Sequence, residues 1–246
     1  MSERDAPQPA TAPVLHSTVL DTLGKVITSG LHPTGSALTL QRLQRRFQVS
    51  RTVMREVMRI LESMNLVRSR RRIGIVVQPM REWRVFHPRV IRWRLDGPNR
   101  ADQLRTLTEL RAAIEPLAAA GAARHASDAD RERLSTLAAE MRTVGEAGRL
   151  DAFLALDIEF HTLLLTACHN EMFAALTDVV AEVLAGRTNH GLMPGHPEPV
   201  ALDLHERVAS TVAVGDAAGA QAAMRRLLEE VRGAVVVPLD PPTSGT

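Results

Sequence analysis

The 246 residues suffice for one large domain or two ordinary ones, and 45% hydrophobic with 24% charged residues is the balance of a globular protein. No run approaches the roughly 18 apolar residues of a bilayer span. The opening MSERDAPQPATAP lacks the basic-then-apolar order of a secretion signal, and the sole cysteine, Cys168, excludes an internal disulfide framework and a multi-cysteine zinc module. The formal net charge of +2 hides a division: Gln41 to Arg94 carries 15 arginines against Glu56, Glu62 and Glu82, whereas Leu95 to Thr246 carries 13 arginines against 22 acidic residues. A compact basic segment suits a polyanion and the acidic remainder does not. Two domains with different partners are expected, in the cytoplasm and with no membrane partner.

In chain order, residues 1–13 read as a disordered leader. Val14 to Ser29 has apolar residues at Val14, Leu15, Val19, Leu20, Leu23, Val26 and Ile27, the spacing of a helix that stops at Gly30. After the turn His32-Pro33-Thr34-Gly35, a short helix runs from its cap, Thr39, to Phe47, with Leu40, Leu43 and Phe47 inward. Ser50 caps a longer helix, Arg51 to Met64, whose inner face is Val53, Met54, Val57, Ile60 and Leu61; Asn65 can leave it in a left-handed conformation. Short runs on either side of Arg70-Arg71-Arg72-Ile73, the second being Gly74 to Val77, predict a β-hairpin with a cationic tip.

Helix, helix, turn, helix, hairpin is the layout of a winged helix-turn-helix, assigned to residues 14–80. A linker helix over 81–98, interrupted near Pro88, leads into 99–236. There every segment predicts a helix: 100–125, 128–146, 150–168, 171–187, 199–214 and 217–235. The expected fold class is mainly α, a winged helix-turn-helix followed by an all-α antiparallel helical bundle, with 237–246 as a disordered tail.

In such a head the second helix of the pair enters the major groove by its N-terminus. Its opening here is Ser50-Arg51-Thr52-Val53-Met54-Arg55, and Arg51 and Arg55, four residues apart, share a polar face. A planar guanidinium can take guanine O6 and N7 together or clamp a phosphate, and the free N–H groups of a helix start favour phosphate. Arg70, Arg71 and Arg72 at the hairpin tip could reach an adjacent groove or the backbone. A solvated amphipathic helix would also show arginines, but not with the cap, the hairpin and the charge concentration in agreement.

Gly35, the run Val49-Ser50-Arg51-Thr52-x-x-Arg55-Glu56-x-x-x-x-Leu61, then Leu66-Val67 and Gly74 resemble the GntR family of bacterial regulators. The resemblance implies DNA contacts from Gln41, Arg42, Ser50, Arg51, Thr52, Arg55, Arg70, Arg71, Arg72 and Gly74. It departs at Gln41, where the family usually carries a DNA-contacting arginine. Gln41 can still hydrogen-bond a base edge and Arg42 stands beside it, so the operator is expected to differ from the family's commonest one. Leu110-Arg111-x-x-Ile114-Glu115-Pro116, Asp157-x-x-Phe160-His161, His169-Asn170, and His205 followed by Gly215-Asp216-x-x-x-Ala220 are similar to the helical effector-binding (FCD) domain of the FadR-type subfamily. Arg72-Ile73-Gly74 to Trp83, then Pro88-x-Val90-Ile91-x-Trp93, resemble the branch that responds to sugar acids such as gluconate or galactonate.

Asp157 and His161, at i and i+4, project from one helix face amid Phe153, Leu154, Ile158, Leu164 and Leu165. Buried there, they must be satisfied by each other or by something else; His205 stands on a later helix with Val208 and Val212. By residue chemistry both a self-satisfied core pair and a ligand site stay open. The resemblance implies one divalent metal, zinc or similar, at Asp157, His161 and His205, which match the subfamily's metal-binding positions. Leu227 stands where members with a complete site place a further histidine, so a weaker site, or a pocket without metal, is expected. Arg111, beside Leu107, Leu110 and Ile114, suits an effector carboxylate or pairs with Glu115 inside its own helix. Asn170 either joins the effector site or caps the helix that starts at Glu171. His125, His169 and His190 are given no role.

The expected protein is a homodimeric repressor on a palindromic operator, released by a small carboxylate, and not an enzyme. One rival is a metal-dependent enzyme with a catalytic zinc at Asp157, His161 and His205, although no acid, base or nucleophile motif accompanies them and an enzyme needs no basic head. The other is an architectural DNA-binding protein without effector, which leaves the buried polar cluster without a purpose.

Overall fold

Helix α1 (Ala12–Thr28) begins two residues inside the expected leader. The rest of that leader and the expected tail lie outside the residues described by this computed structural model, 12–191 and 195–234. Val19, Leu20, Leu23 and Ile27 bury one stripe of α1. There follow β1 (Ala37–Leu38), α2 (Leu40–Phe47), α3 (Arg51–Ser63), β2 (Val67–Arg70) and β3 (Gly74–Val77). The Ser50 hydroxyl accepts from Val53 N at 3.2 Å and starts α3, whereas Thr39 holds the cap position of α2 without a capping bond. Asn65, at φ 58°, turns the chain out of α3. Met54, Val57, Met58 and Leu61 are the buried residues of α3, so its inner face is rotated toward Met58, with Val53 and Ile60 at the margins.

The hairpin belongs to a three-stranded antiparallel sheet of order β1-β3-β2, with Leu38 opposite Ile75, Val67 opposite Val77 and Arg70 opposite Gly74. Strand β1 is absent from the sequence expectation. Gly74 has φ 104°, and a Cβ there would stand 3.1 Å from the Leu38 carbonyl oxygen, so the close approach of β1 to the wing requires glycine.

The expected linker helix at 81–98 is instead a 3-10 turn (Met80–Glu82) and a helix α4 (Pro88–Leu95). Pro88 sits in the first turn, where its missing N–H costs nothing, so it starts the helix rather than interrupting one. Helix α4 is seated on α1: Val90 and Trp93 join the core of the first unit, the Trp93 indole N–H donates to Asp21 Oδ1 at 3.0 Å, and Arg89 reaches the same oxygen at 3.1 Å. A Cβ on Gly24 of α1 would stand 2.4 Å from the Trp93 ring. Gly24→Ala is therefore expected to destabilise this unit by about 1–3 kcal/mol through overpacking. A lower urea midpoint by circular dichroism is the expected result; an unchanged midpoint would show that Trp93 has room to move aside.

The contacts divide the chain at Arg100, and in the second unit, Ala101–Thr246, every regular element among the described residues is a helix. It holds α5 (Arg100–His125), α6 (Asp128–Glu146), α7 (Leu150–Ala167), α8 (Glu171–Ala174), α9 (Thr177–Asn189), α10 (Pro199–Ala213) and α11 (Ala217–Ala234). The single helix expected at 171–187 is broken at Ala175-Leu176 into α8 and α9. Ser127 and Asp130 form a reciprocal capping box that starts α6. One core gathers Leu134 and Met141 of α6, Phe160 and Leu164 of α7, Val208 and Val212 of α10, and Met224 and Leu227 of α11. A smaller cluster joins Ala118 of α5, Leu165 of α7, and Val180 and Leu184 of α9. Among the described residues no helix is long and apolar enough to cross a membrane.

Candidate functional site

In the first unit Gln41, Arg42, Ser50, Arg51, Thr52, Arg55, Arg70, Arg71, Arg72 and Gly74 are all exposed. Arg55, Arg59, Ser69, Arg70 and Gly74 line one groove between α3 and the wing. Glu62 on α3 accepts from Ser69 N at 2.7 Å and ties strand β2 to that helix. Arg59 is held by Glu56 at 3.2 Å, whereas Arg51 and Arg55 have no carboxylate partner among the described residues. The start of α3 and the wing thus form a cationic surface with free guanidinium groups, the arrangement that binds phosphates and guanine edges.

In the second unit four helices bring six polar side chains together: Arg111 and Glu115 of α5, Asp157 and His161 of α7, Arg187 of α9 and His205 of α10, all buried. Arg111 and Glu115 form the intrahelical pair, with Nε donating to Oε1 at 2.6 Å and Nη2 to Oε2 at 3.3 Å. His161 Nδ1 lies 2.9 Å from Glu115 Oε2, at an angle poor for hydrogen bonding, and His161 Nε2 lies 3.3 Å from Asp157 Oδ1. His205 Nε2 is 3.2 Å from the same Asp157 oxygen, and its Nδ1 stands 2.7 Å from the Ala201 carbonyl oxygen. Phe160 packs edge-on against both imidazoles, with ring centroids 5.7 and 5.2 Å away, and closes the centre to one side.

Charge follows from these contacts. Burial alone would push Glu115 up, but Arg111 and then His161 beside it bring its carboxyl down to about 2. Asp157 is likewise buried, yet His161 and His205 hold it well below the ordinary carboxylate range. His161 is raised: burial and the Arg111 charge oppose protonation, and the Glu115 and Asp157 carboxylates together outweigh them. Arg187 is lowered to about 10 by burial and by the neighbouring Arg111.

The residues of the centre fit a divalent ion. A carbonyl only accepts, so His205 Nδ1 carries the proton toward Ala201, and a neutral ring then presents a lone pair at Nε2. His161 Nδ1 faces Glu115 off the line of a hydrogen bond, and with the ring proton on that side its Nε2 would likewise offer a lone pair. Two lone pairs and the Asp157 carboxylate would then converge, with ligand atoms within 4.8 Å of one another. Such a group needs a proton or a cation between its members.

Of the residues singled out by sequence, Arg111, Asp157, His161 and His205 meet here. Asn170 is engaged elsewhere: its side-chain oxygen caps α8 by accepting from Met172 N and Phe173 N, which leaves only its NH2 group for a ligand. Arg187 has no place in the sequence expectation. Its signal was available, since it continues the buried spacing of Val180, Val183 and Leu184.

Residues 15–77 match the model of the gntR family of bacterial regulatory proteins, and residues 106–230 match that of the FCD domain. The chain is 30% identical over 233 residues to a helix-turn-helix transcriptional regulator of Mycobacterium tuberculosis, covering 93% of this chain and 92% of that one. It is 28% identical over 166 residues to the galactonate operon transcriptional repressor of Escherichia coli, covering 67% of this chain and 72% of the repressor. A solved structure of Lar, which controls expression of the Listeria monocytogenes agr system, shares the fold with a TM-score of 0.55 at 17% identity, over 93% of this chain and 98% of that one. The two matched segments fall on the cationic head and on the bundle that holds the polar centre, and the chain belongs to the GntR family of bacterial DNA-binding transcriptional regulators, which are not enzymes, with an FCD domain as its C-terminal half.

Proposed function

We propose that the protein is a homodimeric repressor that holds a palindromic operator through the start of α3 and the wing. A small carboxylate, a sugar acid such as gluconate or galactonate, bound at the buried centre would release it. Exposed Arg51 and Arg55 on one helix face support the first part. The centre supports the second, because buried ionisable groups gathered from four helices tie a ligand's charge to helix positions. The name of the Escherichia coli relative supports the sugar-acid class.

The observation that carries the sensing reading is the convergence of Asp157, His161 and His205. These three would hold one divalent ion, zinc or a similar metal, and the ion would supply a Lewis-acidic positive charge for carboxylate and hydroxyl oxygens. Glu115 and the Ala201 carbonyl would hold the outer imidazole nitrogens and fix which nitrogen faces inward. Leu227, 1% exposed, lies in the apolar core and offers no ligand, so three protein donors leave room for an effector oxygen.

Elemental analysis of the purified full chain tests this. Near-stoichiometric metal in the wild type and its loss in His161→Ala and His205→Ala are expected. Glu115→Gln should weaken metal binding by about ten- to a hundredfold, as for other partners of metal-bound histidines. If both histidine variants keep wild-type metal content and wild-type galactonate-dependent operator release, the cluster is a proton-held ion network of the core.

A further inference from the structure

Arg187 is the one member of the centre whose charge is unanswered. It is 5% exposed, its Nε has no hydrogen-bond partner, and no carboxylate among the described residues pairs with it. Its position is fixed by packing. Helix α9 returns along α7 after the short α8 turn, and Leu165 meets Val180 and Leu184 in one apolar cluster. Moving away from that contact along both helices brings Arg187 level with the turn of α7 that carries Asp157 and His161. Arg111 and Asp157 are near enough for their charges to act on its guanidinium.

Arg111 cannot play the same part without giving up its partner. Its Nε and Nη2 edge, the edge that grips a carboxylate with two parallel bonds, is already taken by Glu115. On Arg187 the Nε of that edge is buried and has no hydrogen-bond partner. With both imidazoles neutral, Arg111 and Arg187 balance Glu115 and Asp157. A divalent ion adds two positive charges, and a buried excess of that size calls for an anion.

We propose that Arg187 is the residue that grips the effector's carboxylate, across the centre from Asp157, His161 and His205, and that Arg111 is a positioning residue which holds Glu115 and, with Nη2 3.4 Å from His161 Nε2, stands directly against His161 as well. The ligand class is a small carboxylate with a second oxygen donor for the metal, the pattern of a hydroxy acid. This inference rests on the sensing reading above and adds the anchor to it.

The test uses the zinc-loaded full chain, with D-galactonate, D-gluconate and citrate as probes, in the wild type, Arg187→Met and Arg187→Lys. A guanidinium kept for a ligand burdens the unliganded fold, so Arg187→Met alone should raise the melting temperature by about 2–6 °C. An arginine kept for packing or structural hydrogen bonds would lower it. At least one probe should bind the wild type by calorimetry and bind Arg187→Met about ten- to a hundredfold more weakly, the loss of a charge-assisted bidentate contact. Arg187→Lys, which keeps the charge without the fork, should fall between. Undiminished probe binding by Arg187→Met, or a lower melting temperature in that variant, overturns the anchor and leaves the sensing reading standing. If no probe binds the wild type, the carboxylate reading itself fails and the anchor fails with it.

Discussion

Replacing Arg51 and Arg55 together by alanine is expected to abolish operator binding at concentrations where the wild type is saturated. Each side chain is exposed on the first turns of α3 and has no carboxylate partner to give up, so its whole donor edge is available to a base or phosphate. A bidentate base contact is worth about 1–3 kcal/mol, and two neighbouring losses, about 2–6 kcal/mol if they add, give roughly a thirty- to a twenty-thousandfold weakening. The fold should not suffer, since exposed substitutions away from caps and cores usually change stability by less than about 0.5 kcal/mol. Arg59→Ala makes the informative control, because Arg59 is held by Glu56 at 3.2 Å and starts with less to offer. Fluorescence anisotropy on operator DNA at two salt concentrations reads both affinity and counterion release. A double variant that binds like the wild type would place the reading surface elsewhere on the head.

Arg111→Ala should have the largest effect in the second unit, on stability before anything else. The substitution strands Glu115, 1% exposed, without the guanidinium that makes two hydrogen bonds to it. Removing one partner of a buried pair costs about 3–5 kcal/mol, whereas replacing both by apolar residues is often near neutral. Arg111→Leu/Glu115→Leu should therefore be far more stable than Arg111→Ala. The pH dependence has a definite sign. Glu115 is depressed to about 2 in the fold, from an ordinary value near 4.5, so its contribution is present above the unfolded value and lost as pH falls from about 4.5 toward 2. Without Arg111 the burial of Glu115 dominates and pushes its carboxyl upward, so the acid limb of unfolding should move to higher pH. Circular dichroism during acid titration of the three proteins checks this. An Arg111→Ala chain as stable as the wild type at neutral pH would mean that His161 alone suffices to hold Glu115.

What sequence could supply depended on how locally each feature is determined. Ser50, Asn65 and the wing glycine act within a few residues of themselves, so cap, exit and hairpin were readable from spacing. Strand β1 was not: two residues cannot display a period, and Ala37-Leu38 becomes a strand only because β3 presents an open edge to it. The break between α8 and α9 carries no Gly or Pro. In α4 the proline reads from sequence as an interruption, because nothing in the sequence shows that the helix begins there. Asp157 and His161 were paired by helical geometry, but the meeting of Arg187 with them depends on the packing of α9 against α7, which local periodicity does not encode. Arg111 shows the same limit from the other side: sequence offered a ligand anchor or an intrahelical pair, and only the rotamers of the folded core show Glu115 on its donor edge.

The wing is braced on two sides, by β1 along β3 and by Glu62 reaching from α3 to Ser69 of β2. On the proposed binding mode its arginines would meet DNA on a scaffold whose backbone order was established when the head folded. Association should show little of the heat-capacity decrease or ordering entropy that marks a disordered basic arm folding onto its site. Its heat should instead be dominated by ion release and by whatever the DNA itself must do to bend. For operators of equal contact sequence, discrimination would then rest on the stiffness of the duplex, because the yielding partner is the DNA and not the protein.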